Sequence, residues 1–256
     1  IGPDKSITDS VKIELILIPE GEFAMGANDG DGDEEPRHAV ALDAYYISKF
    51  EITNAQFEKF DSTHRRTEYS PDDNMPVVAV SWDDASAFCR WLSHEEKIEY
   101  RLPTEAEWER AARGVNGNAY PWGGEATSSG TGWRANVATG KEPDDWALDG
   151  HKYASPVGSF PGGKSACGAM DMAGNVWEWC LDWYTKDYYS KSDKKDPAGP
   201  AEGKWRVYRG GSFAKAEEFA RSTNRAANTP SFVRPSVGFR VVRMLDPIFR
   251  EETPTE

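Results

Sequence analysis

Long apolar runs are missing from this chain. No stretch of 18 apolar residues occurs and the mean hydropathy is -0.70, which argues against a membrane span. The longest apolar run near the start, Leu15-Ile-Leu-Ile18, has the length of a strand. Positive charge is also scarce: 30 Lys and Arg face 43 Asp and Glu, for a net charge of -13. Nucleic-acid binding needs a basic surface that displaces counterions, so that class is disfavoured. The acidic surface serves solubility and is compatible with divalent cations. Cysteine is rare, with only Cys89, Cys167 and Cys180. An odd count at irregular spacing is neither a disulfide framework nor a zinc pattern. Cys89 falls in a helical stretch as a small core residue. Cys167 and Cys180 could pair if the loop between them closes, which spacing alone leaves open. The four histidines, His38, His64, His94 and His151, do not cluster.

What is present suits a folded chain with a large core. There are 256 residues, 12% of them aromatic, and ten are tryptophans. That length allows one large domain or two small ones. Residues 1–10 are polar and read as loose. Strands are expected over 12–18, after Glu20-Gly21, over 40–50, over 206–209 and over 237–243, where apolar residues alternate or fill short runs. Asn28-Asp-Gly-Asp-Gly-Asp-Glu-Glu35 partly imitates a calcium loop. Position twelve counted from Asp29 is Val40 rather than Glu, and no helices flank it, so a solvated loop is expected. Three helix starts are signalled at Thr53, Ser81 and Thr104. Behind them, Phe57 and Phe60, then Ala85, Phe88, Cys89 and Leu92, then Trp108, Ala111 and Ala112 fall at helical spacing. Gly114 is a C-terminal stop. Beyond it the periodicity fades. Long stretches at 115–165 and 185–204 read as ordered loops, because Tyr120, Trp122, Trp133, Trp146 and Tyr153 need something to pack on.

One segment stands apart: Gly168-Ala-Met-Asp-Met-Ala-Gly-Asn-Val-Trp-Glu-Trp179. Asp171 and Glu178 lie seven residues apart around a Gly174-Asn175 turn. A turn folding back would aim both carboxylates and its own carbonyls at one point, as a hard cation such as calcium prefers. The plainer alternative is a packed turn with a capping Asp and a surface Glu.

The order of motifs resembles a known family. Ile18-Pro-Glu-Gly-Glu-Phe-Ala-Met-Gly26, Glu51-Ile-Thr-Asn54, Pro76-Val-Val-Ala-Val-Ser-Trp82, Arg101-Leu-Pro-Thr-Glu-Ala-Glu-Trp108 and Tyr120-Pro-Trp-Gly123 come first. Ala135-Asn-Val137, Pro156-Val-Gly158, Asp171 to Trp179, Arg209-Gly-Gly-Ser212 and Gly238-Phe-Arg240 follow. Together they resemble the formylglycine-generating enzyme, or sulfatase-modifying-factor, family. The resemblance implies a single α+β domain over 12–243, a loop-rich variant of the C-type-lectin fold, between a loose segment 1–11 and a tail 244–256. It also implies two structural calcium sites. One would use the side chains of Asn136 and Asp149 with the carbonyls of Val137 and His151. The other would use Asp171 and Glu178 with the carbonyls of Gly174 and Val176; many relatives carry Asn at the position of Asp171.

The formylglycine-generating members of that family oxidise a sulfatase cysteine with oxygen and copper, held by two cysteines after the Gly-Gly-Ser motif. Soft thiolates suit Cu(I). Here residues 210–225 contain no cysteine, and the two places fall at Lys215 and near Glu217. The expectation is therefore no copper and no formylglycine-generating activity. The same segment offers a polar cleft of Ser212, Lys215, Glu217, Glu218, Arg221 and Arg225. Within it, Arg225 is expected as a structural fork, and Lys215 and Glu217 are expected to face solvent. The resulting picture is a calcium-stabilised binding or structural module. It would dock a protein, peptide or glycan, as a subunit of a larger extracytoplasmic complex. The alternative is an enzyme of altered oxidative or maturation chemistry acting on a peptide or secondary metabolite in the periplasm. A hypervariable ligand-binding protein is a third, disfavoured by the Lys and Glu of the segment. The resemblance and a start at Ile1 rather than Met point to a periplasmic or secreted location.

Overall fold

A computed structural model describes residues 5–124, 127–129, 132–140 and 148–245; Trp146 and the tail from 246 lie outside them. The first half runs β1 (Ser6–Thr8), β2 (Glu14–Ile18), β3 (Gly21–Met25), β4 (His38–Leu42), β5 (Tyr45–Ser48), α1 (Asn54–Phe57), α2 (Trp82–Glu96), β6 (Tyr100–Arg101) and α3 (Glu105–Arg113). The second half runs β7 (Ser128–Ser129), β8 (Gly132–Trp133), β9 (Trp177–Trp183), β10 (Arg206–Arg209), β11 (Ala226–Asn228), β12 (Val237–Gly238) and β13 (Val242–Met244). None of the described helices is long and apolar enough to cross a membrane.

Two sheets organise these elements. One has the order β1-β2-β5-β13-β6 and the other β11-β10-β9-β12, with β3-β4 and β7-β8 as separate hairpins. The chain crosses between the large sheets at residues 239–241. β12 runs parallel to β9, and just beyond the crossing β13 lies antiparallel between β5 and β6. A single strand over 237–243 is therefore corrected to two, divided by a crossing that buries Phe239, Arg240 and Val241 completely. The expected strand over 40–50 is divided too: β4 pairs with β3, while β5 joins the first sheet.

The N-terminal segment is not loose throughout. Ser6–Thr8 pairs with Glu14–Ile16 as an edge strand, so the folded unit starts before residue 12. Its polar side chains hide it in the sequence, since an edge strand needs only one apolar residue facing in.

α1, α2 and α3 begin with reciprocal capping boxes, at Thr53 with Gln56, Ser81 with Asp84 and Thr104 with Glu107. Each satisfies two backbone donors that the first turn would otherwise leave unpaired. α2 buries Ala85, Phe88, Cys89 and Leu92 in one cluster with Phe57, Phe239 and Trp179. The Phe57 and Phe88 rings stack at 5.7 Å. Burial of Phe88 alone contributes about 2–3 kcal/mol. Cys89, Cys167 and Cys180 are all free, which settles the open question of a Cys167–Cys180 bridge: the Cys167 thiol contacts the Ala111 carbonyl at 3.3 Å instead. The loop 28–35 is not simply solvated either. Glu34, within it, is fully buried.

Candidate functional site

α3 buries Trp108, Ala111 and Ala112 as expected, but it also buries Glu105 and Glu109. Two carboxylates in a core must be paired. Arg209, at the end of β10, donates to Glu105 at 3.0 Å and to Glu109 at 2.6 Å, and also to the Ser222 and Thr223 carbonyls. Arg225 forks onto both oxygens of Glu105 at 2.7 and 2.8 Å. Arg113 closes onto Glu109 at 2.9 Å. Burial works against ionisation of Glu105, but Arg225 and Arg209 outweigh it and hold the carboxyl below its usual range. This lattice staples α3 to the segment after Gly210-Gly211-Ser212. It specifies geometry more than it adds stability, because desolvation offsets much of the Coulomb gain.

That segment is the expected cleft, and its side chains do not converge. Ser212 is fully buried, and its Oγ accepts from Ala214 N–H at 3.3 Å. Lys215 is exposed, with its Nζ 5.2 Å from the Phe219 ring centre. Glu217 does not face solvent freely: it accepts from the Thr127 N–H and hydroxyl at 3.0 and 2.8 Å. Glu218 is exposed. Arg221 forks onto the buried Glu34 at 3.0 and 2.8 Å and reaches Asp31 at 3.3 Å. Arg225 is the structural fork described above. Gly211 lets the segment fold on itself: its φ is +75°, and a Cβ there would lie 3.0 Å from the Ala220 backbone.

The residues expected around cations lie in two adjoining loops. Asn175 N–H donates to the Asn136 carbonyl at 2.8 Å and Gly174 N–H to the Gly210 carbonyl at 2.7 Å. In the first set, Asp149 accepts from the Val137 and His151 N–H groups at 3.1 and 2.9 Å. Asn136 Oδ1 is buried without a hydrogen-bond partner among the described residues. An orphaned amide oxygen beside a carboxylate and two carbonyl-bearing loop residues is the donor set calcium takes.

In the second set, Glu178 is not a free ligand. Arg240 forks onto it at 2.6 and 2.8 Å, and Trp108 Nε1 donates to it at 2.7 Å. Of the expected set of Asp171 and Glu178 with the Gly174 and Val176 carbonyls, Glu178 is thus shared with Arg240 and Trp108. Asp171, buried and at φ +58°, accepts from Gly158 N–H. Burial first, then the Glu178 charge, pushes its carboxyl up to about 6. The nearby Glu51 is pushed well above its usual range by burial and by the charges of Asp171 and Glu178, and its Oε1 has no partner among the described residues. Three buried carboxylates share the field of one guanidinium, Arg240. Their surplus of two negative charges, when all are ionised, equals the charge of a divalent cation. Among the described residues, no three Asp, Glu, His or Cys side chains form a metal site by themselves, so backbone carbonyls would have to complete each set, those of Val137 and His151 the first and those of Gly174 and Val176 the second.

The turn between the sets has a sharp steric requirement. Gly174 has φ +80°, and a Cβ there would sit 2.2 Å from the Asn136 carbonyl oxygen. Gly174→Ala is expected to lower stability by about 2 kcal/mol or more, through left-handed strain and displaced backbone. Urea denaturation checks it; a loss below about 0.5 kcal/mol would show that the loops move apart freely.

Residues 5–245 match the sulfatase-modifying factor enzyme 1-like domain. The chain belongs to that family. It is 37% identical to the formylglycine-generating enzyme of Streptomyces coelicolor, over 90% of this chain and 89% of that protein. It is 32% identical to the inactive C-alpha-formylglycine-generating enzyme 2 of Mus musculus, over 88% and 84%. The structure of PvdO from Pseudomonas aeruginosa superposes with a TM-score of 0.82 at 28% identity, covering 96% of this chain and all of that one. The fold is accordingly the formylglycine-generating-enzyme-like variant of the C-type-lectin fold, in a single domain.

Within the family's motifs, several landmark residues turn out to be structural charges: Glu51, Glu105, Arg209 and Arg240. Glu105 and Arg209 lie in α3 and β10, and Glu51 and Arg240 lie in connections beside strands. Glu34 and Glu109 carry no comparable motif and escape sequence reasoning.

Proposed function

We propose that this chain is a sulfatase-modifying-factor-like domain without formylglycine-generating activity, acting as a calcium-stabilised binding or structural module. The observation that carries the proposal is the segment 210–225. It contains no thiol, and Glu217, Arg221 and Arg225 are committed to Thr127, Glu34 and Glu105. The chain's thiols are elsewhere. Cys180 is buried in β9, where burial raises its pKa far above the thiol range. Cys89 is buried in α2, and Cys167 sits against α3 at the Ala111 carbonyl. None belongs to a thiolate pair poised for Cu(I). Identity to relatives does not decide the matter, because relatives at 32–37% include proteins named as formylglycine-generating enzymes and one named inactive.

Calcium would supply fixed positive charge and no redox chemistry. Asn136, Asp149, Val137 and His151 would hold one ion, and Asp171 with Glu51, Gly174, Val176 and a shared Glu178 a second. Such ions would fix the loops that hydrogen-bond to the segment carrying exposed Phe219, through the Lys215 and Gly210 carbonyls. A protein, peptide or glycan partner in a periplasmic or secreted setting fits that arrangement.

Elemental analysis of the purified protein tests the proposal. Calcium without a redox metal is the expected result, and stoichiometric copper or iron would sink it. Calcium at a hundredfold excess over its Kd is expected to add about 2.7 kcal/mol, raising Tm by several degrees over the chelated protein. An identical Tm with chelator and with calcium would remove the ion from the account.

A further inference from the structure

A cavity of about 490 Å³ opens beside the turn between β3 and the 28–35 loop, lined in part by Asn28, Asp29, Arg37, Arg113, Gly117 and Arg221. Three arginines on one cavity stand out in a protein of net charge -13. The local ion pairs show which of them is available. Arg113, Arg209, Arg221 and Arg225 are matched by Glu34, Glu105, Glu109 and Asp31. Arg37 is left over. Its side chain is exposed, and its backbone N–H donates to Asn28 at 2.8 Å, but no carboxylate among the described residues pairs with its guanidinium.

The geometry brings that charge against a second one. The place where a Gly117 Cβ would sit is 3.1 Å from Arg37 Nη2 and 3.5 Å from Arg113 Nη2. Arg113 Nη2 is held there by donating to the Gly117 carbonyl at 2.8 Å, and Arg37 comes against the same backbone position. Arg113 is itself buried, and its Nε has no hydrogen-bond partner among the described residues. Arg113 is neutralised by Glu109, so Arg37 is the charge on this wall open to an anion, and a guanidinium fork fits a carboxylate bidentately. Asp29 lines the same cavity and is exposed, with no partner among the described residues. Among those residues the cavity thus presents one free cation and one free anion, a pattern complementary to a zwitterion rather than to a dianion such as phosphate.

We infer that this cavity binds a small zwitterionic ligand of amino-acid or dipeptide size, its carboxylate on Arg37 and its ammonium toward Asp29. The volume is of the size that holds small molecules. The site goes beyond the function proposed above, sharing Arg221 and the neighbouring Thr223 with the segment of the expected cleft. It stands whether or not the chain converts a cysteine.

Titration calorimetry with a panel of dipeptides tests it. Each dipeptide is used as the free zwitterion, as its N-acetyl acid and as its C-terminal amide, with inorganic phosphate as a further probe. The free dipeptides are expected to bind saturably, and the amides to bind about tenfold or more weakly, as loss of a charge-assisted fork requires. Arg37→Gln is expected to produce the same loss for the free dipeptides. Asp29→Asn should weaken the free dipeptides but not the N-acetyl acids. Arg37 is exposed and carries no buried pair, so its variant should melt with the wild type, which separates lost binding from lost folding. Three results would overturn the assignment: no saturable binding by any member of the panel, equal binding of acid and amide, or tighter binding of phosphate than of any dipeptide.

Discussion

Arg240→Met is expected to destabilise the folded protein by about 3–5 kcal/mol, because it strands a buried carboxylate. Arg240 is fully buried where the chain crosses between the two sheets. Its fork is the counter-ion of Glu178, and its remaining donors hold the Ser48 and Met170 carbonyls at 2.9 Å. Removing it takes from Glu51, Asp171 and Glu178 the guanidinium whose charge offsets theirs, and two carbonyls lose their donors. Arg240→Lys keeps one charge but cannot reproduce the fork, so it should fall between wild type and Arg240→Met. Glu178→Gln placed on top of Arg240→Met should recover part of the loss. Urea denaturation reads all four proteins. A loss under about 1 kcal/mol for Arg240→Met would mean that packing of Phe239 and Val241, not the ion pair, holds the crossing.

Asp182→Asn is expected to make the pH dependence of stability shallower between pH 5 and pH 8, by the share of one titrating group. Asp182, in β9, is buried against the start of α3, where it accepts from the Glu105 N–H at 2.8 Å. Burial first, then the charge of Glu105, pushes its carboxyl up to about 8. Glu105 stays ionised on Arg225 and Arg209, so Asp182 is the member of the pair that keeps its proton. The sign follows from proton counting. Between the unfolded value near 4 and the folded value near 8, the folded state holds one more proton than the unfolded chain. Stability present below about pH 4 is therefore lost as pH rises to 8, at about 1.4 kcal/mol per unit. The amide oxygen introduced by Asp182→Asn would still accept from the Glu105 N–H and has nothing to titrate. The variant should gain on wild type steadily from pH 5 to pH 8 in parallel denaturation curves. A constant difference across that range would show that Asp182 is ionised in the folded protein.

The parts legible in the sequence are those decided by neighbouring residues. Thr53, Ser81 and Thr104 announce their helices because a capping box needs only four consecutive positions. Phe88 and Leu92 announce a buried face because helical spacing is local. Motif order points to the family, and with it the fold. The residues that hold the candidate site together are not legible in the same way. Glu178 finds Arg240 across 62 positions, Glu105 finds Arg225 across 120 and Glu34 finds Arg221 across 187. No pattern of spacing encodes such pairs. Glu34 misleads for a physical reason: it sits in an acidic run that has the composition of a solvated loop, yet one guanidinium from the far end of the chain is enough to draw it inside. The same reasoning explains β12 and β13. A short apolar-rich run resembles one strand, and only the partners on either side reveal that Arg240 marks the change of sheet.

The most direct test of the central claim is mass spectrometry of a sulfatase-type cysteine peptide incubated with the purified protein, copper and oxygen. A domain whose 210–225 segment holds no thiolate pair should leave the cysteine unconverted, at the level of a protein-free control. An aldehyde product that accumulates over many turnovers and requires both this protein and copper would contradict the account.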